Sequence, residues 1–284
     1  MTDRPVRKKP QTHHARVLRS ERLSPHMVRL VFGGDGLSGF TAGEWSDHYV
    51  KLLFPVPGVG YPEPFDIARI REEFPREQWP RTRTYTVRHW DPQARELTVD
   101  FVIHGDAGLA GPWAAAAGPG TGIRLLGPGG AYLPSPDADW HLLAGDESAL
   151  PAIAASLERI PDGSVVRALI EVADEREEQP LTLPAGARVQ WLHRGAAPAG
   201  SVLVKAVREL EFPAGRVHAF VHGEAGMVKE LRRYLRVERE VPREDLSISG
   251  YWRLGHDEDG WQSSKREWNA QVEAEQEQDA PAAA

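Results

Sequence analysis

Short runs of alternating apolar and polar residues fill the first half of the chain. Leu97, Val99, Phe101 and Ile103 are separated by mostly polar neighbours, and this period of two is typical of a half-buried strand. Strands are also predicted at 27–32, 48–54 and 83–89, with turn-forming Gly and Pro residues between the runs. Short strands with polar breaks and few helices indicate an antiparallel β-barrel.

In the second half, short apolar strands alternate with helical patterns. Strands are predicted at 140–144, 165–171, 189–193 and 217–222, and helices at 148–159, 202–210 and 226–239. Such alternation indicates a parallel α/β sheet. The polar stretch 263–278 predicts one exposed helix, with Trp268 and Val272 as its few apolar contacts.

The change of pattern divides the chain near a loop that contains two prolines, at 133–139. We therefore expect a β-barrel domain over 12–133, an α/β domain over 134–256, and a C-terminal helix and tail over 257–284. The fold class predicted from the sequence is an N-terminal antiparallel barrel followed by an α/β domain with a parallel sheet.

Composition excludes several classes of function. The 284 residues include no cysteine, which excludes disulfides, thiolate catalysis and cysteine-held iron–sulfur clusters. A net charge of −7 disfavours a general attraction to nucleic acid. No apolar run is long enough to span a membrane, and no apolar stretch follows the basic N-terminus as a secretory signal would require. We expect a cytoplasmic protein that binds neither nucleic acid nor membrane.

The eleven histidines show no spacing typical of a metal site, so no metal ligands are predicted. Redox chemistry in this chain would therefore depend on an organic cofactor or on a metal carried by the substrate.

The first chemical motif is RTYTVR at 83–88. On a strand, Arg83 and Tyr85 share one face, and Thr84 and Thr86 share the other. A guanidinium meets phosphates in a fork geometry, a tyrosine ring packs against a flavin ring, and a hydroxyl binds ring nitrogens. The alternative is a plain barrel strand with two solvated arginines.

The second motif is a glycine-bearing loop that leads into a helix. The loop runs from His104 through Gly108 and Gly111, and the helix is predicted to begin near Pro112. Free N–H groups and the dipole at such a helix start favour a pyrophosphate. The alternative is a capped helix that packs on the barrel. The two motifs lie about 20 residues apart, and together they are more specific than either alone.

With these motifs the sequence resembles the siderophore-interacting proteins, or ferric-siderophore reductases, of the ferredoxin-reductase-like superfamily. The resemblance covers about 14–268 and rests on RTYTVR at 83–88, DFVIHG at 100–105, the Gly-x-Ala-x-x-Trp-Ala spacing at 108–114, GDESALPA at 145–152 and GYWRLG at 250–255. Leu109 departs from the pattern, because the family usually has proline there.

The resemblance implies a six-stranded FAD barrel followed by a nucleotide-binding α/β domain. Carried over, the RTYT residues would hold the phosphates and ring of the flavin, and the glycine loop would follow its pyrophosphate and ribityl chain. The predicted FAD-binding residues are Arg83, Thr84, Tyr85, Thr86, Val102, His104, Gly108, Ala110, Gly111 and Trp113.

A third motif, GDESALP at 145–151, lies at the carboxyl end of a strand, where α/β sheets bind ligands. It lacks the Gly-x-Gly-x-x-Gly fingerprint of dinucleotide-binding sites. Asp146 and Glu147 also place two carboxylates where the negatively charged phosphates of a dinucleotide would lie. Asp146 and Ser148 are kept as cofactor-binding candidates, with helix capping as the alternative. NAD(P)H or ferredoxin remains open as the electron donor.

The fourth group of candidates is basic. Lys51, Arg253 and Lys265 match places where the family binds an anionic ferric siderophore, and positive charge in a cleft concentrates anions. The alternative for each is a solvated side chain. Tyr251 and Trp252 are expected to cover the flavin or to seal the contact between domains.

The function that follows is FAD-dependent reduction of a ferric siderophore, with release of ferrous iron in the cytoplasm. The step is electron transfer, so no catalytic acid or base is predicted. Two alternatives remain: a general NAD(P)H-dependent flavin oxidoreductase with another acceptor, and a siderophore-binding flavoprotein without turnover.

Overall fold

A computed structural model describes residues 11–103 and 108–279, with side chains in the last helix described up to 275. His104, one of the predicted cofactor ligands, lies outside these residues. Within them the first sheet has seven antiparallel strands in the spatial order β4-β3-β7-β1-β2-β6-β5. The strands are β1 Thr12–Ser24, β2 Met27–Gly33, β3 Tyr49–Phe54, β4 Arg81–Thr86, β5 His89–Asp91, β6 Glu96–Val102 and β7 Gly122–Gly129.

The seven strands agree with a six-stranded barrel once β4 and β5 are taken as one bent run. β4 pairs with β3 at one edge of the sheet, and β5 pairs with β6 at the other edge. Between them, Val87 N donates to His48 O at 2.7 Å and Arg88 N donates to Thr98 O at 2.9 Å. This run therefore connects the two edges, which leaves fewer backbone groups unpaired.

The interior of the first sheet is filled as the alternating pattern predicts. Leu97, Val99 and Phe101 on β6 are fully buried. Two short helices flank the sheet, α1 Ile67–Glu73 and α2 Ala110–Ala116. Trp113 on α2 packs on the barrel core, with its ring parallel to that of Phe32 at a centroid distance of 6.4 Å. Aromatic packing thereby fixes α2 next to β2 and β6.

The second sheet has five parallel strands in the order β10-β9-β8-β11-β12. Its crossover pattern is that of an open α/β sheet. The strands are β8 Trp140–Gly145, β9 Val165–Val172, β10 Ala187–His193, β11 Val217–Glu224 and β12 Leu246–Trp252. The helices are α3 Leu150–Leu157, α4 Ser201–Glu209, α5 Ala225–Arg233 and α6 Glu258–Asp279.

Helices cover both faces of this sheet. Leu142 on β8 belongs to a buried cluster with Leu203 of α4 and Leu231 of α5. The next residue, Leu143, points to the opposite face and packs with Ile153 of α3. Because both faces are covered, β8 is buried along its whole length, as central parallel strands require.

The last helix begins five residues earlier than the sequence analysis predicted. The predicted start at 263 is wrong, and the structure places the first residue at Glu258. Asp257 caps this start: its Oδ1 accepts from Gly260 N at 2.7 Å, and its carbonyl accepts from Trp261 N at 2.9 Å. A capping residue followed by acidic residues in the first turn favours the start of a helix. These residues favour a start at Glu258 over the predicted start at Ser263.

The structure also contains strands that the sequence analysis did not predict, namely β1, β7 and β12. β1 carries many charged residues and runs exposed over much of its length, so its apolar signal is weak. No helix within the described ranges combines the length and apolar character needed to cross a membrane.

Candidate functional site

A cleft of about 600 Å³ lies where the two sheets and α6 meet. The volume is within the range of roughly 300–1,000 Å³ that is common for ligand sites. The first sheet contributes residues from β3, β4 and β6. The second contributes His222 near the end of β11 and most of β12, and α6 contributes its first two turns. The main lining residues are Tyr49, Lys51, Thr84, Tyr85, Thr86, Val102, Ser148, His222, Ser247, Ser249, Tyr251, Trp252, Arg253, Glu258, Trp261, Gln262 and Lys265.

Three consecutive residues of β4 reach the cleft, namely Thr84, Tyr85 and Thr86. Along a regular strand only every second residue points to a given face. Because three consecutive residues line the cleft, the cleft surrounds the end of β4 and is not lined by one face of the strand. The Tyr85 ring packs against Phe101, with centroids 4.4 Å apart. Burial raises the pKa of Tyr85 well above its ordinary value, which keeps the phenol neutral. The wall thus offers a neutral ring and two hydroxyls.

Arg83, which the sequence analysis assigned to phosphates, lies beside the cleft and is engaged by acidic residues of α6. Its Nη1 and Nη2 donate to Asp259 Oδ1 and Oδ2 at 2.7 and 3.0 Å. Its Nε lies 3.2 Å from Glu258 Oε2. Burial works against the charged form of Arg83, but these partners outweigh it and raise the pKa. Arg83 therefore joins β4 to the first turn of α6.

Glu258 is an acidic residue in the lining of the cleft. Burial raises its pKa to about 7, opposed by the charge of Arg83 and by a hydrogen bond from Thr84 N. That hydrogen bond measures 3.2 Å. The sequence analysis missed Glu258 because it placed the start of the helix at 263; the run Asp257-Glu258-Asp259 was the signal that could have found it.

The three basic candidates, Lys51, Arg253 and Lys265, are brought together in the cleft. Burial lowers the pKa of Lys265, and the charge of Lys51 lowers it further. Neither lysine, nor Arg253, forms an ion pair with a carboxylate in the part of the chain that the structure describes. The guanidinium of Arg253 lies 5.9 Å from the ring centre of Trp268. The lining also contains the carboxyl groups of Asp47, Asp100, Asp257 and Glu258, but these bind other groups, namely the amides of Ala131 and Gly260 and the side chains of Arg29 and Arg83. The three cations are left to attract an anion.

The two candidates after β8 lie at different depths. Ser148 lines the cleft, whereas Asp146 is completely buried below it. The carboxylate of Asp146 accepts hydrogen bonds from Ser148 N at 2.9 Å, from Glu224 N at 2.8 Å and from Trp252 Nε1 at 2.8 Å. Burial raises the pKa of Asp146 to about 6, and the hydrogen bonds from Ser148 and Trp252 oppose that rise. Asp146 thus holds Trp252 in the cleft wall.

His222 closes the inner end of the cleft. Its ring stacks on Phe220, with centroids 3.9 Å apart, and packs against Tyr251 at 4.9 Å. Burial lowers its pKa to about 3, and the nearby charge of Lys265 adds to that. His222 is neutral at physiological pH and contributes no charge. The sequence analysis did not single out this histidine, because nothing in its local sequence separates it from an ordinary strand residue.

The glycine-loop candidates lie along α2. Gly108 has a φ of +85°, and no described atom lies within 4 Å of the position that a Cβ would take. Leu109 precedes the helix and provides no side-chain cap. Ala110 and Trp113 pack on the barrel core. The open backbone at Gly108 and the uncapped first turn, which includes Gly111, fit a phosphate chain, and contact of these residues with a cofactor stays a prediction.

Two family models together match most of the chain. Residues 16–132 match the siderophore-interacting FAD-binding domain, and residues 138–255 match the siderophore-interacting protein model.

Relatives with similar sequences span nearly the whole chain. A ferric vibriobactin reductase of Vibrio cholerae is 33% identical, covering 87% of this chain and 92% of the relative. The NADPH-dependent ferric-chelate reductase of Escherichia coli is also 33% identical, covering 83% and 91%. An uncharacterized protein of Mycobacterium tuberculosis is 45% identical, covering 90% and 95%.

Solved structures share the fold. A siderophore utilization protein from T. fusca superimposes with a TM-score of 0.75 at 40% identity, covering 87% of this chain and 95% of that one. A siderophore-interacting protein from Aeromonas hydrophila gives a TM-score of 0.78 at 28% identity, covering 92% and 99%.

Proposed function

Since the chain belongs to the siderophore-interacting protein family, we propose that it reduces ferric siderophores with electrons from FAD and thereby releases ferrous iron. Its residues 16–132 are the FAD-binding domain of that family, so FAD is its cofactor. The observation that carries the proposal is the cleft itself, which is lined by the neutral side chains of Thr84, Tyr85 and Thr86 and by three cationic side chains that form no ion pair among the described residues.

The residues of the cofactor side fit FAD in their chemistry. Tyr85 provides an aromatic wall that stays neutral, Thr84 and Thr86 provide hydroxyls, and Val102 provides an apolar contact. Trp252, held by Asp146, adds a second aromatic ring to the lining of the cleft. Bound FAD supplies the electrons that convert ferric to ferrous iron, and the protein contributes binding, orientation and access.

The residues of the substrate side select an anion. Lys51, Arg253 and Lys265 hold the negative charge of a ferric catecholate or hydroxycarboxylate complex near the flavin wall. Once the iron is ferrous, its attraction to the same oxygen ligands falls, because Coulomb energy scales with charge. No side chain has to transfer a proton for this step.

The electron donor is proposed to be NAD(P)H or ferredoxin. The E. coli relative is named as NADPH-dependent, which favours a nicotinamide donor. The carboxyl ends of β8 and β9, however, bring Asp146, Glu147 and Glu171 together, and the nearby Arg194 is engaged by Glu147 at 2.9 Å and by Glu171 at 3.2 Å. Arg194 is therefore not free to bind the phosphates of a nicotinamide dinucleotide. A general flavin oxidoreductase with another acceptor remains the second candidate, and a cytoplasmic location stays a prediction.

Stopped-flow absorbance tests the proposal. Anaerobically reduced protein is mixed with a ferric siderophore, and the flavin absorbance is followed. We expect reoxidation that depends on siderophore concentration. If the complex binds but the flavin stays reduced, the protein is a binding flavoprotein without turnover. The reductive half-reaction with NADH, NADPH or reduced ferredoxin identifies the donor in the same instrument.

A further inference from the structure

The guanidinium of Arg83 has almost no hydrogen-bonding capacity left. Nη1 donates to Thr82 O at 2.9 Å and to Asp259 Oδ1, and Nη2 donates to Asp259 Oδ2. Nε faces Glu258. A guanidinium has five N–H groups: three make these hydrogen bonds, the Nε–H lies in the ion pair with Glu258, and one N–H on Nη2 remains. A diphosphate that binds Arg83 through Nη1 and Nη2 must take the place of Asp259, and one that binds through Nε and Nη2 must take the place of Glu258.

The acidic pair resembles the ligand it would exclude. Glu258 and Asp259 are adjacent carboxyl groups on the first turn of α6, and both face one guanidinium. The diphosphate of FAD presents the same chemistry, namely paired anionic oxygens at a spacing that suits an arginine fork. The two carboxyl groups and the diphosphate therefore compete for the same N–H donors of Arg83, and not only for the same space.

The later turns of α6 are fastened to the second sheet and its helices. Lys229 of α5 pairs with Glu275 at 2.7 Å, and Arg232 pairs with Glu273 at 3.2 Å. Trp261 is buried close to Gly250 on β12. The first turn, by contrast, is joined through Arg83 to β4 of the barrel. Release of this turn would leave the rest of the helix attached.

We propose that the first turn of α6 is a cofactor-responsive latch, in which Glu258 and Asp259 compete with the FAD diphosphate for Arg83. This inference rests on the proposed function, because it requires Arg83 to bind FAD. Cofactor binding then frees the first turn of α6 from β4 at the edge of the substrate cleft. The latch couples loading of FAD to the mobility of this first turn, which lines the cleft through Glu258.

The first test is the affinity of the full-length protein, stripped of flavin, for added FAD, measured by isothermal titration calorimetry. Asp259→Asn should bind FAD about three- to tenfold more tightly, because a partly exposed ion pair no longer competes. Glu267→Gln is the matched control: it makes the same charge change on an exposed position of α6 and should leave the affinity unchanged. Circular dichroism confirms that each variant is folded.

The second test is hydrogen exchange of the backbone amides at 258–262. Saturating FAD should speed their exchange in the wild type, whereas in Asp259→Asn these amides should exchange fast without FAD. Unchanged or weaker FAD binding by Asp259→Asn, with slower exchange on FAD addition, would show that Asp259 supports Arg83 and would overturn the latch.

Arg83→Ala separates this failure from a failure of the proposed cofactor site. If Arg83→Ala loses FAD affinity while Asp259→Asn gains none, the cofactor site stands and the latch is wrong. If Arg83→Ala binds FAD as the wild type does, Arg83 is only an anchor for α6, and both assignments fail.

Discussion

At the scale of single residues, the informative feature is a cationic side chain in the cleft that has no carboxylate partner among the described residues. Lys265 is half-buried in the cleft, and within the described residues no carboxylate pairs with it. Both burial and the charge of Lys51 disfavour its ammonium form. A partly desolvated cation beside another cation gains most when an anion enters. Lys265 is thus the basic residue with the clearest reason to bind substrate.

We expect Lys265→Ala to weaken binding of an anionic ferric catecholate about five- to tenfold, since it removes one charged contact that is partly exposed to solvent. The effect should shrink as salt rises, because exposed charges are screened over about 10 Å at 0.1 M ionic strength. Binding is measured by titration at several salt concentrations. Arg266→Ala, an exposed neighbour, is the control. An equal loss with a neutral hydroxamate complex would contradict a role in charge recognition.

At the scale of elements, α6 determines the shape of the cleft. Its apolar side chains are few, but Trp261 and Val272 are buried, and the rings of Trp261 and Trp268 meet edge to face at 5.4 Å. Gly250 on β12 permits this approach, because a Cβ there would lie 3.2 Å from the Trp261 ring. One tryptophan therefore docks the helix that positions Glu258 and Lys265.

Trp261→Ala should undock the first turns of α6, because truncation of a buried tryptophan removes about 3–5 kcal/mol of packing. We expect faster amide exchange along 258–268 and a loss of catecholate affinity at least as large as that of Lys265→Ala. Hydrogen exchange with mass spectrometry measures the first effect, and titration the second.

Trp261→Phe is the conservative control. The indole Nε1 of Trp261 is buried and has no hydrogen-bond partner among the described residues, so phenylalanine keeps most of the packing and loses no bond. If both variants behave like the wild type, α6 is held by its later ion pairs and not by Trp261.

At the scale of the whole molecule, the cleft exists because the barrel and the second sheet are held together. Glu177, which follows β9, is nearly completely buried. It accepts from Ser24 Oγ at 2.6 Å and lies 2.6 Å from His26 Nδ1 on the barrel side. Arg88 and Glu158 form a second link at 2.5 Å. These polar contacts fix the position of the two cleft walls.

Glu177→Ala should lower the free energy of unfolding by about 1–3 kcal/mol, because it leaves buried hydrogen-bonding groups without a partner. The mutation lies outside the cleft lining, so a looser cleft should appear as weaker substrate binding with FAD retained. Urea unfolding followed by circular dichroism measures the stability. Glu175→Ala, on the exposed side of the same turn, should have little effect; equal losses in both variants would contradict the role of Glu177.

The sequence by itself determined the fold class, the family and several of the residues that meet in the cleft. The period of two in β6 and the strand–helix alternation after 140 both reflect local burial, which any one segment records on its own. The RTYT motif and Ser148 were found because their chemistry is contiguous in sequence. Lys51, Arg253 and Lys265 were found through the resemblance.

Only the tertiary structure decided what those residues contact. Arg83 and Asp259 are 176 positions apart, and no local pattern can reveal that the carboxylates of α6 occupy the guanidinium predicted to hold phosphates. Asp146 was expected at the surface of a ligand site, but the parallel pairing of β8 with β11 buries it beneath Ser148 and Trp252. Periodicity records whether a position is buried; which partner buries it depends on how distant segments pack, and that is determined by the whole chain.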